Sequence, residues 1–515
     1  DEAFIAQHCE GFDQVKGALA EVPIDDYILR ADVSPQTVRQ VAHDFAHANS
    51  ACVRVDLGIQ HTPHSTVSTY LEKLLYLLTG HFGKAGGNNL HSSFLPVLGN
   101  SDERKRDLKL TARHKMQPIA GLYPPNILPD EIEHAGEDRL RACWVDSCNP
   151  VMSYADTEAY ERAFKKLELL VVVDVAMTES ARLAHYILPA ASQFEKWEAT
   201  GFNAEFPRNF FHLRKPLFEP LGNSLPEPEI YTRLLEKMGV LPESFPMLKK
   251  LARWQPEVSA YQPYLSALML FLKRNKHLAA FAPSILYRTL GPALPEGARA
   301  AALLLPLAID YANKHGDAVR RAGVQGNRIT LGPALFRAIL ANHSGVIISE
   351  HRLDALWRFI KNPDGRVHLA IEEVLQEMRE LDSRHPSHQG FPFILMAGER
   401  RSYNANQIYR DPAWRKTDKD GAMRLHPEDA ARLEVETGDH LLCRSRRGEL
   451  QVVVSIDDSM RPGVVSLPHG YGMRFKNGEE SGPALNRITA SNHCDPFTKT
   501  PYHKYVPVQL EKITV

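Results

Sequence analysis

Two acids stand where a carboxylate can meet a ligand. The stretch "RACWVDS" runs as an apolar strand into Asp146, and "ELLVVVD" ends a second such run on Asp174. A carboxylate at a strand end can accept two N–H bonds from a guanine edge or two hydroxyl bonds from a ribose. It can equally cap the turn behind its own strand, or be a solvated loop acid. "CNPVMSYAD" adds a long polar loop after the first acid, its shape set by Asn149-Pro150. Other constellations are weaker. Cys143 and Cys148 have no second pair to complete a zinc or iron–sulfur site, and His61 and His64 flank Pro63 in a loop. The phosphate-loop, GxGxxG, GxSxG and HExxH patterns are absent.

The elements that must position these acids form one unit. "RACWVDS", "DTEAYERAFKKL" and "ELLVVVD" read as strand, helix and strand, which predicts a parallel sheet covered by helices on both faces. Ligands of an open parallel sheet bind outside the carboxyl ends of its strands, so Asp146 and Asp174 share that edge. A helix opening near Thr178 points backbone N–H groups at the same edge, which favours a phosphate. Tyr186-Ile187-Leu188, stopping at Pro189, reads as the next strand.

Upstream, "SPQTVRQVAHDFAHAN" predicts a helix with Ser34 as N-cap and Pro35 at its first position. "ACVRVDLG" reads as a strand. "HSTVSTYLEKLLYLLTG" reads as an amphipathic helix with Leu71, Leu74, Leu75 and Leu78 on one face, closed by Gly80. The chain thus separates by texture into an α/β region (1–240), a mainly helical region (241–390) and a mostly β region (391–515). The clearest segments of the second are "YLSALMLFLKRNKHLAAF" and "AIEEVLQEMRELDS", either an elaboration of the larger fold or a partner-binding surface. In the third, "HLLCRSRRGELQVVVSI" gives two strands around Arg447-Gly448, "PGVVSLPHG" another strand, and "HPEDAARLEV" a short helix.

Composition narrows the function classes. A chain of 515 residues is too long for one core. Lys plus Arg (61) balances Asp plus Glu (62), so charge makes no case for nucleic acid or an anionic membrane surface. No apolar run reaches the roughly 20 residues of a membrane helix; the best, residues 300–309, is broken by Pro306. Six cysteines without regular spacing suggest no disulfide framework, and a cytoplasmic setting is expected. The first residues already read as the middle of a helical segment, so an upstream part of the natural protein is expected.

Three motifs in order carry a resemblance: "ACWVDSCNPVMSYAD", "LLVVVDVAMTESARLAHYILPAASQFEKWEATGFNAE", and the closing "RLHPEDAARLEVETGDHLLCRSRRGELQVVV" with "NRIT" and "DPFTKTPYHKY". They resemble the molybdopterin oxidoreductases of the dimethyl-sulfoxide-reductase family, and with "YLEKLLYLLTGHFGKAGGNN" the resemblance spans nearly the whole chain. It implies an α/β fold with a parallel-sheet, dinucleotide-binding-like domain, a helical elaboration and a C-terminal double-psi β-barrel. It also implies a bis-molybdopterin guanine dinucleotide cofactor carrying molybdenum or tungsten.

Carried over by motif, Asp174 reads the guanine, Asn149 lies in the loop after the first strand, and Thr178 follows beside them. Asn203 and Glu205 of "GFNAE" line the cofactor cleft. Arg400 and Asn404 of "GERRSYNAN" belong to the first contacting loop of the barrel, and His469, Asn486 and Lys504 to later ones. The family's iron–sulfur cysteines and metal-ligating residue lie upstream of everything seen here. The 4Fe-4S cluster is therefore expected only in a missing upstream part, no metal ligand is assigned, and the chain alone is expected not to turn over.

The implied partners are a small-molecule substrate and an electron-transfer protein or subunit, with no nucleic acid and no membrane insertion. After "GKAGG", formate dehydrogenases place an Arg where this chain has "NNLHSSF"; His91 is a poor substitute for a permanently charged fork, which disfavours formate. The alternative is a cofactor-free scaffold of the same fold, as in the large iron–sulfur subunit of respiratory complex I.

Overall fold

The computed structural model describes residues 1–95, 108–199, 201, 204–254, 259–384, 386–399, 401, 410–411, 413, 417–475 and 477–513. They divide into two compact units, one drawn from residues 1–82, 98–187 and 362–515, the other from residues 83–97 and 188–361.

In the first unit, helix α1 (Pro35–His47) starts as expected, with Ser34 Oγ accepting from Thr37 N at 3.4 Å. The strand expected at "ACVRVDLG" is not there. Residues 51–56 make no ladder, and Asp56 accepts from Leu57 N at 2.7 Å to start a four-residue helix, Leu57–Gln60. β-branched residues without a partner strand have nothing to pair with, and the local cap prevails. Helix α2 (Ser65–Leu78) forms, followed by Gly80 at φ +68. Its buried face is Val67, Tyr70, Leu74 and Leu77, while Leu75 is exposed, so the apolar stripe is rotated from the one read along the leucines.

The βαβ unit is as expected. Strands β1 (Ala142–Asp146) and β2 (Leu169–Asp174) pair in parallel, with helix α3 (Thr157–Lys165) between them, and β3 (Tyr186–Pro189) completes the order β1-β2-β3. Leu170, Val171, Val172 and Val173 are all buried, as a strand covered on both faces requires. Tyr160 and Phe164 of α3 pack on Leu170 and Val172 in the core of this sheet.

The second unit is chiefly helical. Its core gathers Tyr264 of helix α4 (Gln262–Arg274), Ile285 of α5 (Ala282–Thr289), Leu305 of α6 (Leu304–Arg321) and Phe336 of α7 (Leu331–Ala341). The helical segment "YLSALMLFLKRNKHLAAF" is divided: α4 stops at Arg274, where Asn275 donates its side-chain amide to Phe271 O at 2.9 Å and leaves helical geometry. Pro306 sits in the first turn of α6, where its missing N–H is harmless. Strands β4 (Arg208–Phe211) and β5 (Val346–Glu350) pair antiparallel against this core.

Beyond helix α8 (Glu372–Arg379), the chain closes a six-stranded barrel in the first unit. Its strands are β6 (Phe393–Glu399), β7 (Met423–Leu425), β8 (His440–Ser445), β9 (Glu449–Ile456), β10 (Val464–Pro468) and β11 (Val506–Lys512), in the order β6-β10-β7-β9-β8-β11. The pairs β6–β10 and β7–β9 are parallel, and the others antiparallel. Closure leaves no edge strand. Alternate residues such as Leu441, Cys443, Val452, Val454, Val465 and Leu467 fill the interior. The hairpin around Arg447-Gly448 and helix α9 (Pro427–Leu433) stand where the sequence placed them. The expected fold class, a parallel-sheet α/β region with helical elaboration and a C-terminal barrel, is the one observed. Among the described residues no helix is long and apolar enough to cross a membrane.

Candidate functional site

The register of β1 on β2 sets Asp146 opposite Val173, so Asp146 and Asp174 end adjacent strands on one edge. Asp174 accepts from Val175 N at 2.7 Å and so caps its own turn. Burial raises its carboxyl pKa above the ordinary value and the charge of Asp146 raises it further, against the N–H groups of Val175 and Ala176 and the charge of Arg410. An acid so desolvated, beside another acid, is suited to a ligand that offers hydrogen-bond donors.

The helix expected to open near Thr178 is corrected. Only a three-residue 3-10 turn, Ala181–Leu183, follows, because Thr178 N bonds back to Ala176 O at 2.9 Å and Thr178 Oγ1 accepts from Ala181 N at 3.2 Å. So short a turn has no useful dipole, and Thr178 is buried. A phosphate at this edge would have to be held by side chains.

Those side chains converge on Glu179, which the sequence reading missed. Its carboxylate takes both arms of the Arg410 guanidinium at 2.7 and 2.8 Å, Arg474 N at 3.1 Å and Asn149 Nδ2 at 2.7 Å. Burial acts to raise its pKa, but the hydrogen bonds and charge of Arg410, with those of Arg474 N and Asn149, hold it below the usual carboxylate range. Asn149 is itself buried. Its Oδ1 accepts from Ser180 N at 3.1 Å and Ser180 Oγ at 2.8 Å, so its amide binds the loop after β1 to the loop after β2.

A recess of about 300 Å³ opens beside this knot, walled by Glu179, Arg182, His469, Arg474, Asn486 and Arg487 among others. Arg487 pairs with Glu161 at 3.3 Å, whereas the guanidinium groups of Arg182 and Arg474 make no ion pair among the described residues. Asn486 donates to Met152 O at 2.7 Å and accepts from Thr489 Oγ1 at 2.8 Å, tying a barrel loop to the segment after Asn149. Gly472, at φ +82, allows the close approach of this loop: a Cβ there would lie 2.6 Å from Ala484 Cα.

At the end of β6, Lys504 Nζ donates to Ala397 O at 2.7 Å, and its backbone N to His61 O at 2.9 Å. Burial, with the nearby charges of His61, Lys504 and His469, pushes the His503 pKa down to about 3. His503 stacks on His61 at 5.5 Å between centroids. His469 and Lys504 are neighbours beside this pair: the His469 Cβ and Lys504 Nζ both lie 3.9 Å from where a Cβ on Gly398 would stand. Among the described residues no group of three or more His, Cys, Asp or Glu could hold a metal ion, and all six cysteines are free.

Glu205 lies in the second unit. It forms a short ladder with Ser92 and accepts from Phe210 N at 3.1 Å with its carboxylate. Asn203, Arg400 and Asn404 lie outside the described residues. The structure thus brings together Asn149, Asp174 and Thr178 on the sheet edge and His469 and Asn486 on the recess, with Lys504 beside His469. Glu179 follows Thr178 directly, but its partner Arg410 stands 231 positions away, a distance at which no spacing pattern operates.

Comparison with known proteins gives a consistent pattern. Residues 40–237 match the family described as Molybdopterin oxidoreductase, and residues 393–507 the Molydopterin dinucleotide binding domain. The F420-dependent formate dehydrogenase subunit alpha of Methanocaldococcus jannaschii is 23% identical over all of this chain and 66% of its own length. The F420-dependent formate dehydrogenase 2 subunit alpha of Methanococcus maripaludis is 28% identical with the same coverage. The structure of acetylene hydratase from Pelobacter acetylenicus superposes with a TM-score of 0.66 at 17% identity, over 100% of this chain and 68% of that one. The chain spans 66% of the length of the curated relatives it matches first.

Proposed function

The chain belongs to the molybdopterin oxidoreductase family, and from that membership we propose that it is the dinucleotide-gripping, C-terminal part of a bis-molybdopterin guanine dinucleotide enzyme carrying molybdenum or tungsten. The observation that supports this most is the recess beside the sheet edge, lined by Arg182 and Arg474, which make no ion pair among the described residues. Such a donor set fits a pyrophosphate, which Arg binds with a planar fork. The desolvated Asp174 fits the paired N–H donors of a guanine edge.

When bound, the cofactor supplies the redox chemistry and the metal at which it occurs. The chain's own residues bind and orient. Arg182 and Arg474 neutralise phosphate charge, Asp174 selects the base, and the Asn149–Glu179–Arg410 knot keeps both loops in place. Asn486 fixes the barrel side, and His469 and Lys504 bound the opening beyond it. His503 is held neutral and stores no proton at physiological pH.

The substrate is a small molecule, and formate is disfavoured, since His91 is a poor substitute for the Arg that the resemblance leads one to expect. The neighbouring Ser92 is buried and its hydroxyl is taken up by Asn209, Tyr311 and Glu205 O. An electron-transfer protein or subunit completes the enzyme, and the iron–sulfur cluster and metal ligand belong to sequence upstream of this chain.

The test is guanine nucleotide release. Acid treatment of the complete enzyme carrying Arg182→Ala and Arg474→Ala should yield at least fivefold less guanine nucleotide per folded protein than wild type. An unchanged yield removes the recess from the cofactor site.

A further inference from the structure

The second unit contains a feature that the cofactor reading does not use. Helix α6 is interrupted at His315 (φ −128, ψ 28), and a recess of about 740 Å³ opens there. Lys314, Arg320, Arg321, Arg328 and Arg358 line it, with Asp317 as the one carboxylate among its lining residues. Their attachments leave most of this charge uncompensated. Lys314 reaches Asp310 at 2.6 Å, Arg320 reaches Asp317 at 3.1 Å, and Arg321 donates to a backbone oxygen, Glu350 O, at 2.7 Å. Arg358 senses Asp354, which is already paired with Arg352. Arg328 makes no hydrogen bond or ion pair among the described residues.

A second observation points at a ligand. His351, 7% exposed, is on the wall of the recess, and its Nε2 has no hydrogen-bond partner. Buried polar atoms are normally satisfied by protein, water or ligand. Burial, with the charges of His315 and Arg321, pushes its pKa down to about 4, so it meets a ligand as a neutral ring. The rings of Phe359 and His315, 5.7 Å apart, add an apolar wall beside the cations.

We propose that this recess binds a ligand bearing a di- or triphosphate group. Several arginines converging in a concavity suit phosphate oxygens, which take the guanidinium fork in pairs and match its charge density. The volume is that of a small-molecule site, within the range of roughly 300–1,000 Å³. A free polyphosphate and a nucleotide share this chemistry, and the aromatic wall gives a nucleotide base a surface to stack on.

The experiment is calorimetric titration of the complete enzyme, with its cofactor and natural subunits, using pyrophosphate and ADP at constant ionic strength. Saturable binding is expected, weakened at least tenfold by Arg328→Ala with Arg358→Ala. Both side chains are exposed, so the unliganded unfolding midpoint should not move. His351→Phe, which keeps an aromatic ring and removes the nitrogens, should weaken binding severalfold, and Arg253→Ala, an exposed arginine off the recess, should leave it unchanged. ADP binding at least tenfold tighter than pyrophosphate marks a nucleotide site; comparable affinities mark a site for the phosphates alone. Absence of saturable binding by either probe, or binding indifferent to the arginine pair, overturns the proposal.

Discussion

At the residue scale, Asp174 and Glu179 are two half-buried carboxylates with opposite roles, and pH separates them. Burial places the Asp174 pKa above its unfolded value, so its ionised form opposes folding, and the stability it contributes as an acid is lost as pH rises through the folded value. Asp174→Asn should therefore melt at the same or a higher temperature than wild type at pH 7, with cofactor content matched, while retaining severalfold less pterin. A lower melting point with normal pterin would make Asp174 a turn cap only. Glu179 has the other sign. Its folded pKa is lowered, so its contribution is present at neutral pH and lost as pH falls through the folded value. Glu179→Gln leaves the half-buried Arg410 without its charge partner and should cost about 1–3 kcal/mol in urea unfolding at pH 7. The gap from wild type should narrow in acid; a gap constant with pH would place the effect in packing instead.

At the element scale, one buried acid fastens a helix to the barrel. Asp495, fully buried, accepts from Ser65 Oγ at 3.0 Å, Thr66 Oγ1 at 2.9 Å and Thr498 N at 2.9 Å, joining the start of α2 to the loop before β11. Asp495→Asn should cost roughly 1–3 kcal/mol, the range for an unsatisfied buried polar group, read by urea unfolding. Gly472→Ala forces a Cβ against Ala484 at positive φ, and should both destabilise the fold and lower guanine nucleotide content, because its loop walls the recess.

These elements also show what was legible in the sequence. β1, α3 and β2, and the hairpin of β8 and β9, were readable because apolar periodicity and turn residues agree locally. "ACVRVDLG" and the helix at Thr178 were misread because Asp56 and Thr178 form local caps that no periodicity reveals. The place of Asp174 and Asn149 on the sheet edge was legible from residue type and strand pattern. Their fastening to Glu179 and Arg410 was not, since Arg410 stands 231 positions from the acid it meets.

At the scale of the whole molecule, the sheet edge and the barrel loops belong to one compact unit, and the helical second unit carries a cationic recess of its own. The family is that of relatives named for formate oxidation and, at 17% identity, of a fold shared with a hydratase, so the family does not decide the substrate. His91-Ser92-Ser93 predicts that formate supports dye reduction no faster than background in the complete enzyme; turnover with formate would show that charge elsewhere replaces the missing fork. The central claim, that this chain grips a molybdopterin dinucleotide, is tested most directly by metal analysis and pterin extraction from the complete natural protein. The account predicts molybdenum or tungsten together with guanine-bearing pterin in proportion to folded protein; the absence of both metals and of pterin would contradict it and leave a cofactor-free scaffold.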